Sequence, residues 1–325
     1  MESLSQVTIL RDVSPAGKVR PWAEKKVSNE LLAAAYEKIN PAKSIRLREC
    51  GKFLLFRRYS DGVRQLHGMT SCRVRLCPIC AWRRSLKVFF TIKRVVDFCF
   101  QRSGFSYIFL TLTVRNCSAD MLSKTIDEMM AAWNLLLTYK PVKSAVQGWY
   151  RGLEITHNCC YSSGNFDSYH PHFHVLIAVN PSYFKSRFYL SKSRWAALWK
   201  QALGVDYDPV VDVRKVKGNT SEAVAECAKY SVKDTDYILP DDWDLTLDTV
   251  RVLDAALASR RLVAYGGEFR KVKRILQIED EDTGSLVNVG DDEYFPEDPE
   301  NFVLESYAWF SGYRQYRLEA EFLPK

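Results

Sequence analysis

The sequence predicts an α+β chain, with an antiparallel sheet of the ferredoxin-like, split βαβ type and helices packed on one face of it. A basic segment with zinc-binding cysteines precedes the sheet. Three observations carry this reading. Residues 106–233 alternate β-rich and amphipathic stretches in the order β-α-β-β-α-β-α. One strand that reads as sheet core, "HPHFHVLIAV", opens with three of the five histidines in the chain. Cysteines at 50, 72, 77 and 80 lie inside a run of Lys and Arg.

The elements follow in order. "SNELLAAAYEKIN" is a helix candidate, and in "WRRSLKVFFTIKRVVDFCF" the spacing of Leu86, Phe89, Phe90 and Val96 predicts a helix that ends before Gly104. "SYIFLTLTV" is β-rich. Ser118 can cap a helix whose one face carries Leu122, Ile126, Met129, Trp133 and Leu136. "WYRGLEIT" is a strand, separated from "HFHVLIAV" by a Gly/Ser/Asn loop. Ser191 opens and Gly204 closes a helix with Trp195, Leu198 and Trp199. "PVVDVRKV" is a fourth strand and "SEAVAECAKYSVK" a third helix. Three regions result: a basic, cysteine-containing region over 1–104, a regularly alternating domain over 105–239, and a C-terminal accessory region over 240–325 with a helix around Val250, Leu253 and Leu257.

The bulk numbers limit the function. With 325 residues, 47% of them hydrophobic, the chain can form one large or two ordinary domains. The net charge of +7 suits a polyanionic partner, and its distribution says more. From Lys43 to Arg94 there are fourteen Lys or Arg against only Glu49 and Asp61, while Glu279 to Glu305 holds eleven acids and no Lys or Arg. No apolar run reaches the roughly 18 residues of a membrane span. The first residues lack a signal-peptide pattern, so a cytoplasmic protein with no membrane partner is expected. Nine cysteines, several inside apolar periodic segments, argue against a disulfide scaffold.

In a strand, residues two apart point to the same side, so His172 and His174 stand together and can bind one metal ion. A pair of hydrogen-bonded histidines at a sheet edge is the plainer alternative. If the two neighbouring strands form a hairpin, Glu154 comes alongside, and two His with one carboxylate leave open positions on a divalent ion such as Mg²⁺ or Mn²⁺. His157 and His170 are spare candidates. In the third helix Glu226, Tyr230 and Lys233 fall at i, i+4 and i+7, one face. A tyrosine hydroxyl beside a divalent cation is a usable nucleophile, and Glu226 can move a proton. The alternative is a solvent-facing Glu/Lys helix with a packing tyrosine.

Cys72, Cys77 and Cys80, with Cys50 upstream, suit a closed tetrahedral Zn²⁺ site, and His67 is a substitute fourth ligand. Arg73, Arg75, Arg83 and Arg84 flank it and would be held toward DNA phosphates.

The chain resembles the replication initiators of rolling-circle plasmids, within the HUH endonuclease superfamily. "FLTLT" (Phe109 to Thr113) is similar to the first motif of that family, "HPHFHVLI" to its His-hydrophobe-His motif, and "ECAKYSVKDTDY" to its third, with Tyr230 in the nucleophile position and Lys233 three residues on. "CRVRLCPICAWRRS" and "RRLVAYGGEFRKVKRIL" look like its flanking segments. The resemblance implies an HUH nuclease domain in which Tyr230 attacks a DNA phosphodiester, leaving a 5′-phosphotyrosyl link and a free 3′-hydroxyl that primes replication. It implies that Glu226 activates water in the terminating cleavage. Glu154 as third ligand rests on strand pairing, not on a short motif. The implied partners are origin DNA, double- and single-stranded, and host replication proteins. They include a helicase, because no G-x-x-x-x-G-K-[ST] motif occurs. Two other readings share some features: a relaxase or single-tyrosine transposase of the same superfamily, and a zinc-dependent DNA-binding regulator without catalysis.

Overall fold

The computed structural model describes residues 7–14, 17–216, 221–228, 231–290 and 298–323. They form two compact units, residues 1–87 with 280–325 and residues 88–279. The expected three-region division is drawn differently: residues 240–325 part at 279/280, and the boundary near 104 moves back to 87/88, inside a helix.

The first unit begins with α1 (Trp22–Ile39) and α2 (Pro41–Glu49). Asn40 caps α2 by accepting a hydrogen bond from the Lys43 amide, and Pro41, which has no N–H to lose, sits at its first turn. Strands β1 (Phe53–Tyr59) and β2 (Arg64–Met69) follow, then α3 (Pro78–Ser103), which runs into the second unit.

The second unit contains β3 (Ser106–Thr113), α4 (Leu122–Leu136), α5 (Lys140–Ala145), β4 (Val146–Asn158), β5 (Ser168–Val179), α6 (Lys192–Leu203), β6 (Val211–Lys215), α7 (Ser221–Cys227), α8 (Trp243–Leu257), β7 (Val263–Gly266) and α9 (Gly267–Ile275). Its sheet has the order β6-β3-β5-β4-β7, with every neighbouring pair antiparallel. Ser191 accepts from the Arg194 amide to cap α6, and Gly204 ends that helix with φ +69. Ser118 does not cap α4. Met121 holds that position, and the Ser118 hydroxyl donates to Asp120 instead.

Alternation along the strands separates two faces. Phe173, facing one way, meets the rings of Trp133 on α4 and Trp199 on α6. Phe109, Tyr150, Leu176 and Ala178 face the other way and pack with Val96 and Cys99 of α3, Val224 and Cys227 of α7, and Phe269 of α9. The expectation of helices on one face is therefore corrected: both faces are covered. The physical reason is that the second face is apolar everywhere except at its histidine end, and apolar sheet surface is driven from water onto whatever helices the flanking chain supplies.

The expected helix 221–233 is shorter, ending at Cys227. The Cys227 carbonyl accepts from Tyr150 Oη at 2.9 Å and the Ser231 carbonyl from the Ile155 amide at 2.7 Å, so the chain leaves helical geometry to satisfy the edge of β4.

The last strands, β8 (Phe302–Phe310) and β9 (Gln315–Phe322), return to the first unit and complete a sheet of order β2-β1-β8-β9. Glu305 on β8 is buried and accepts hydrogen bonds from Arg58, Arg64 and Tyr307. No helix among the described residues is long and apolar enough to cross a membrane.

Candidate metal centres and the face around them

β4 and β5 do form the hairpin, with Glu154 directly opposite His172 and Gly152 opposite His174. A Cβ at Gly152 would lie 2.7 Å from Tyr150 Oη and 3.3 Å from the Cys227 carbonyl, so the glycine lets the end of α7 come close to β4 on that face. Glu154 Oε2 lies 2.7 Å from His174 Nε2 and 3.4 Å from His172 Nε2, and all three residues are buried. Burial alone would raise the Glu154 carboxyl, but hydrogen bonds and charge from both histidines outweigh it and hold the group below the usual carboxylate range.

These residues fit a divalent cation. His172 Nδ1 donates to the His170 carbonyl at 3.1 Å, which leaves Nε2, on the Glu154 side, as the nitrogen that would bind a cation in place of its proton. Thr111 Oγ1 lies 3.5 Å from His174 Nδ1 and can orient the second ring likewise. The three ligand atoms lie within 4.8 Å of one another, close enough to share one ion. Three protein ligands leave positions for water or substrate, the pattern of a catalytic centre. His170 stacks on His172, while His157 has both ring nitrogens engaged, by Asp167 Oδ1 at 2.9 Å and the Asp236 carbonyl at 3.0 Å, and is no ligand.

Glu226 on α7 reaches the edge of this centre, with Oε1 3.9 Å from His174 Nε2. Lys233 lies beyond the helix, in extended conformation (ψ 143) and exposed, so the shared helical face with Glu226 does not extend to it. Tyr230 falls outside the described residues. Tyr237, the nearest other tyrosine, is 1% exposed and buried away from any reagent.

The second centre is in the first unit. Cys50, Cys72, Cys77 and Cys80 converge, with Sγ–Sγ distances of 3.5 Å (Cys50–Cys80), 3.6 Å (Cys50–Cys77) and 3.8 Å (Cys72–Cys80). Bonds of about 2.3 Å to a tetrahedral Zn²⁺ place sulfurs about 3.8 Å apart, whereas a disulfide needs about 2.05 Å. The four thiols therefore fit a zinc site. Hydrogen bonds from the other three hold the Cys80 thiol well below its ordinary range, while hydrogen bonding to Cys72 raises Cys50 and burial raises Cys77, the pattern of thiols crowded together with one thiolate among them. His67 stands exposed on β2, outside the cluster. Sequence reasoning missed the support beneath: Lys26 Nζ donates to the Cys50 carbonyl at 2.7 Å, and Asn29 Nδ2 donates to Cys77 Sγ at 3.4 Å. Both lie on α1, some twenty residues or more from any of the cysteines, and no local pattern marks them.

The flanking arginines are engaged by the chain itself. Arg73 donates to the carbonyls of Asp282, Thr283 and Gly284, and Arg75 to the Asp282 carboxylate. Arg84 lies 3.6 Å from the same carboxylate. Arg83, 1% exposed, donates to the carbonyls of Leu286 and Val287. The start of the acidic stretch is thus fastened to the cysteine segment. Its charge pattern was the one available signal.

The family model described as Replication protein matches residues 63–317. A Protein rep of Bacillus amyloliquefaciens is 38% identical over 348 residues, covering 98% of this chain and 99% of its own length. A Protein rep of a Bacillus species is 41% identical over 266 residues, covering 76% and 85%, and one of Streptococcus pneumoniae is 34% identical over 297 residues, covering 89% of each. No solved structure matches the chain. With a family match over most of its length and relatives aligned nearly end to end, the chain belongs to the Replication protein family of plasmid replication initiators.

Proposed function

We propose that this replication protein starts rolling-circle replication of a plasmid by nicking and later rejoining one strand of its origin, with Tyr230 as the nucleophile. The observation that carries the proposal is the convergence of His172, His174 and Glu154 on one sheet face, with Glu226 at its edge. The strand order supports an HUH-type core: numbered along the chain, the first four strands lie as 4-1-3-2, the split βαβ order. The described residues on either side of Tyr230 support its role, since Cys227 and Ser231 are both tied to β4, the strand that carries Glu154.

A Mg²⁺ or Mn²⁺ ion at the His/Glu centre would polarise the scissile phosphate and offset its charge. The Tyr230 oxygen forms a bond to phosphorus as the bond to the 3′-oxygen breaks. The tyrosine proton passes to water, and the leaving oxygen takes a proton from water to become a 3′-hydroxyl that can prime synthesis. Lys233 lies three residues beyond, where its ammonium favours the phenolate and the phosphate. The cysteine segment, held by Zn²⁺, positions duplex DNA. Arg73, Arg75 and Arg84 exchange Asp282 for phosphate oxygens, while Arg83 keeps the segment in shape. Unwinding falls to a host helicase, since the sequence has no P-loop.

Supercoiled plasmid carrying the cognate origin, incubated with protein and Mn²⁺, tests this. The wild type gives nicked circles and a denaturation-resistant protein–DNA adduct. Tyr230→Phe binds the same DNA and gives neither. An adduct that survives in Tyr230→Phe removes Tyr230 from the mechanism. Binding without nicking by the wild type leaves a zinc-dependent regulator.

A further inference from the structure

His157 is no metal ligand, yet its fully buried side chain joins the hairpin that carries the ligands to the segment that follows Tyr230. It lies on β4, three residues beyond Glu154. Alternation turns it to the opposite face of the sheet, where its ring stacks on Tyr169 of β5 with centroids 4.6 Å apart. The Asp236 carbonyl has no proton to give, so His157 Nδ1 donates to it at 3.0 Å. Nε2 faces Asp167 Oδ1 at 2.9 Å. Asp167 adopts φ +52, and its amide donates to the Asn158 carbonyl, which closes the loop between β4 and β5 and aims the carboxylate at the ring.

Among the described residues, three donors of β4 hold the chain between Cys227 and Asp236. Tyr150 Oη reaches the Cys227 carbonyl from the metal-binding face, the Ile155 amide reaches the Ser231 carbonyl at the strand's edge, and His157 reaches the Asp236 carbonyl from the opposite face. The chain therefore wraps round the edge of β4, and the stretch so held contains Tyr230 and Lys233 in its sequence. With ties on one face and the edge alone it could pivot about Ser231. The tie from His157 removes that freedom. The plainer alternative is that the imidazole only satisfies a carbonyl that would otherwise lack a partner.

We propose that His157 is a positioning residue, whose hydrogen bond to Asp236 fixes the segment containing Tyr230 and Lys233 against the hairpin that carries Glu154, His172 and His174. That the segment is placed for attack on a phosphate rests on the nicking reading; that His157 holds it does not. Acting through Asp236, His157 sets the distance between nucleophile and metal centre. The rate of such an attack depends steeply on that distance, a misplacement of about 1 Å costing about 10²-fold.

The test uses the full chain and exploits the two ring nitrogens. Asparagine places its amide nitrogen where Nδ1 stands and glutamine where Nε2 stands, so His157→Asn keeps the donor to Asp236 and His157→Gln gives it up. In single-turnover nicking of origin plasmid with Mn²⁺, His157→Gln is slower by about tenfold or more, with DNA affinity measured in EDTA unchanged. His157→Asn stays within about threefold of the wild type. Hydrogen exchange of residues 231–236 is faster in His157→Gln than in His157→Asn. A wild-type rate in His157→Gln overturns the proposal, as do two variants slowed alike in step with their loss of thermal stability. If His157→Gln fails to fold, Asp167→Gly decides, since glycine suits φ +52 and the change removes the carboxylate that steadies the ring. Slower nicking by Asp167→Gly at unchanged DNA affinity supports the proposal, and a wild-type rate overturns it. The adduct assay on the wild type separates the two readings. Without an adduct the nicking reading falls and exchange alone decides the tie, a difference between the two His157 variants keeping it and equal exchange removing it. An adduct, with both variants nicking at the wild-type rate, removes the positioning role alone.

Discussion

At the scale of single residues, the His/Glu centre is held by hydrogen bonds that set which nitrogen faces inward, so its chemistry is sensitive to small changes. His172→Ala or His174→Ala is expected to lower nicking by on the order of 10²-fold or more while changing DNA affinity little, and EDTA is expected to do the same to the wild type. Gel assays of supercoiled plasmid read this directly, and full activity in EDTA would remove the metal from the proposal. Glu226 calls for a different assay. Its carboxylate is more than a third exposed and 3.9 Å from His174 Nε2, near the centre but outside the set of three ligands. On the proposed mechanism, with Tyr230 joined to the 5′ end, closing the cycle needs a second nucleophile, and water activated by Glu226 is the nearest candidate. Glu226→Gln should therefore still nick, yet fail to release closed single-stranded circles from a two-origin plasmid. Normal release by this variant would leave Glu226 a bystander.

At the scale of elements, two close approaches carry large stakes. A Cβ at Gly266 would lie 2.2 Å from the Trp149 ring, and Gly267 has φ +56 with the Gln147 carbonyl 2.3 Å from where its Cβ would be. Only glycines let β7 and α9 lie against β4 there. Gly266→Ala is expected to destabilise the protein by about 1–3 kcal/mol, measured by urea unfolding, and a loss under about 0.5 kcal/mol would contradict this packing account. In the other sheet, burial raises the Glu305 carboxyl, but hydrogen bonds from Arg64 and Arg58 outweigh it and hold the group below its usual range. A lowered folded pKa means that the stabilisation is present above the unfolded value of about 4.3 and is lost as pH falls through the folded one. Glu305→Gln should thus cost about 2 kcal/mol at pH 7, with the gap to wild type narrowing below about pH 4. A gap that stays constant across that range would show that the carboxylate charge is not what holds β1, β2 and β8 together.

At the scale of the whole molecule, the two ends of the chain build one unit. β1 pairs with β8 from Phe53↔Ala308 to Tyr59↔Phe302, and the cysteine segment is fastened to residues 282–287. A structural zinc site is worth on the order of 10 kcal/mol of folding free energy, so stripping the metal should loosen the sequence neighbours of the cysteines and this distant stretch together. Hydrogen exchange after treatment with a strong chelator is expected to show lost protection in residues 50–87 and 280–290, with residues 106–113 and 168–179 unchanged. Equal loss everywhere would mean that the two units do not unfold separately, and no loss would mean that zinc is dispensable.

What the sequence by itself determined was local. The two-residue period of β5 put His172 and His174 on one face, and Ser191 and Gly204 marked the ends of α6, because periodicity and capping act within a few residues. The cysteine spacing named three members of the sulfur cluster, and Cys50 followed from counting ligands. Glu154 was legible only on the condition that two strands pair. Tertiary structure decided the rest. Where α7 ends depends on Cys227 and Ser231 satisfying groups on β4, more than seventy residues away. Which partners Arg73, Arg75 and Arg83 take depends on residues 282–287, some two hundred residues on. That both faces of the larger sheet are covered depends on how much apolar surface the strands leave open. Propensity and periodicity are properties of neighbours in the chain, whereas these outcomes were set by burial and by the need of every buried donor and acceptor for a partner, which only the folded chain can supply.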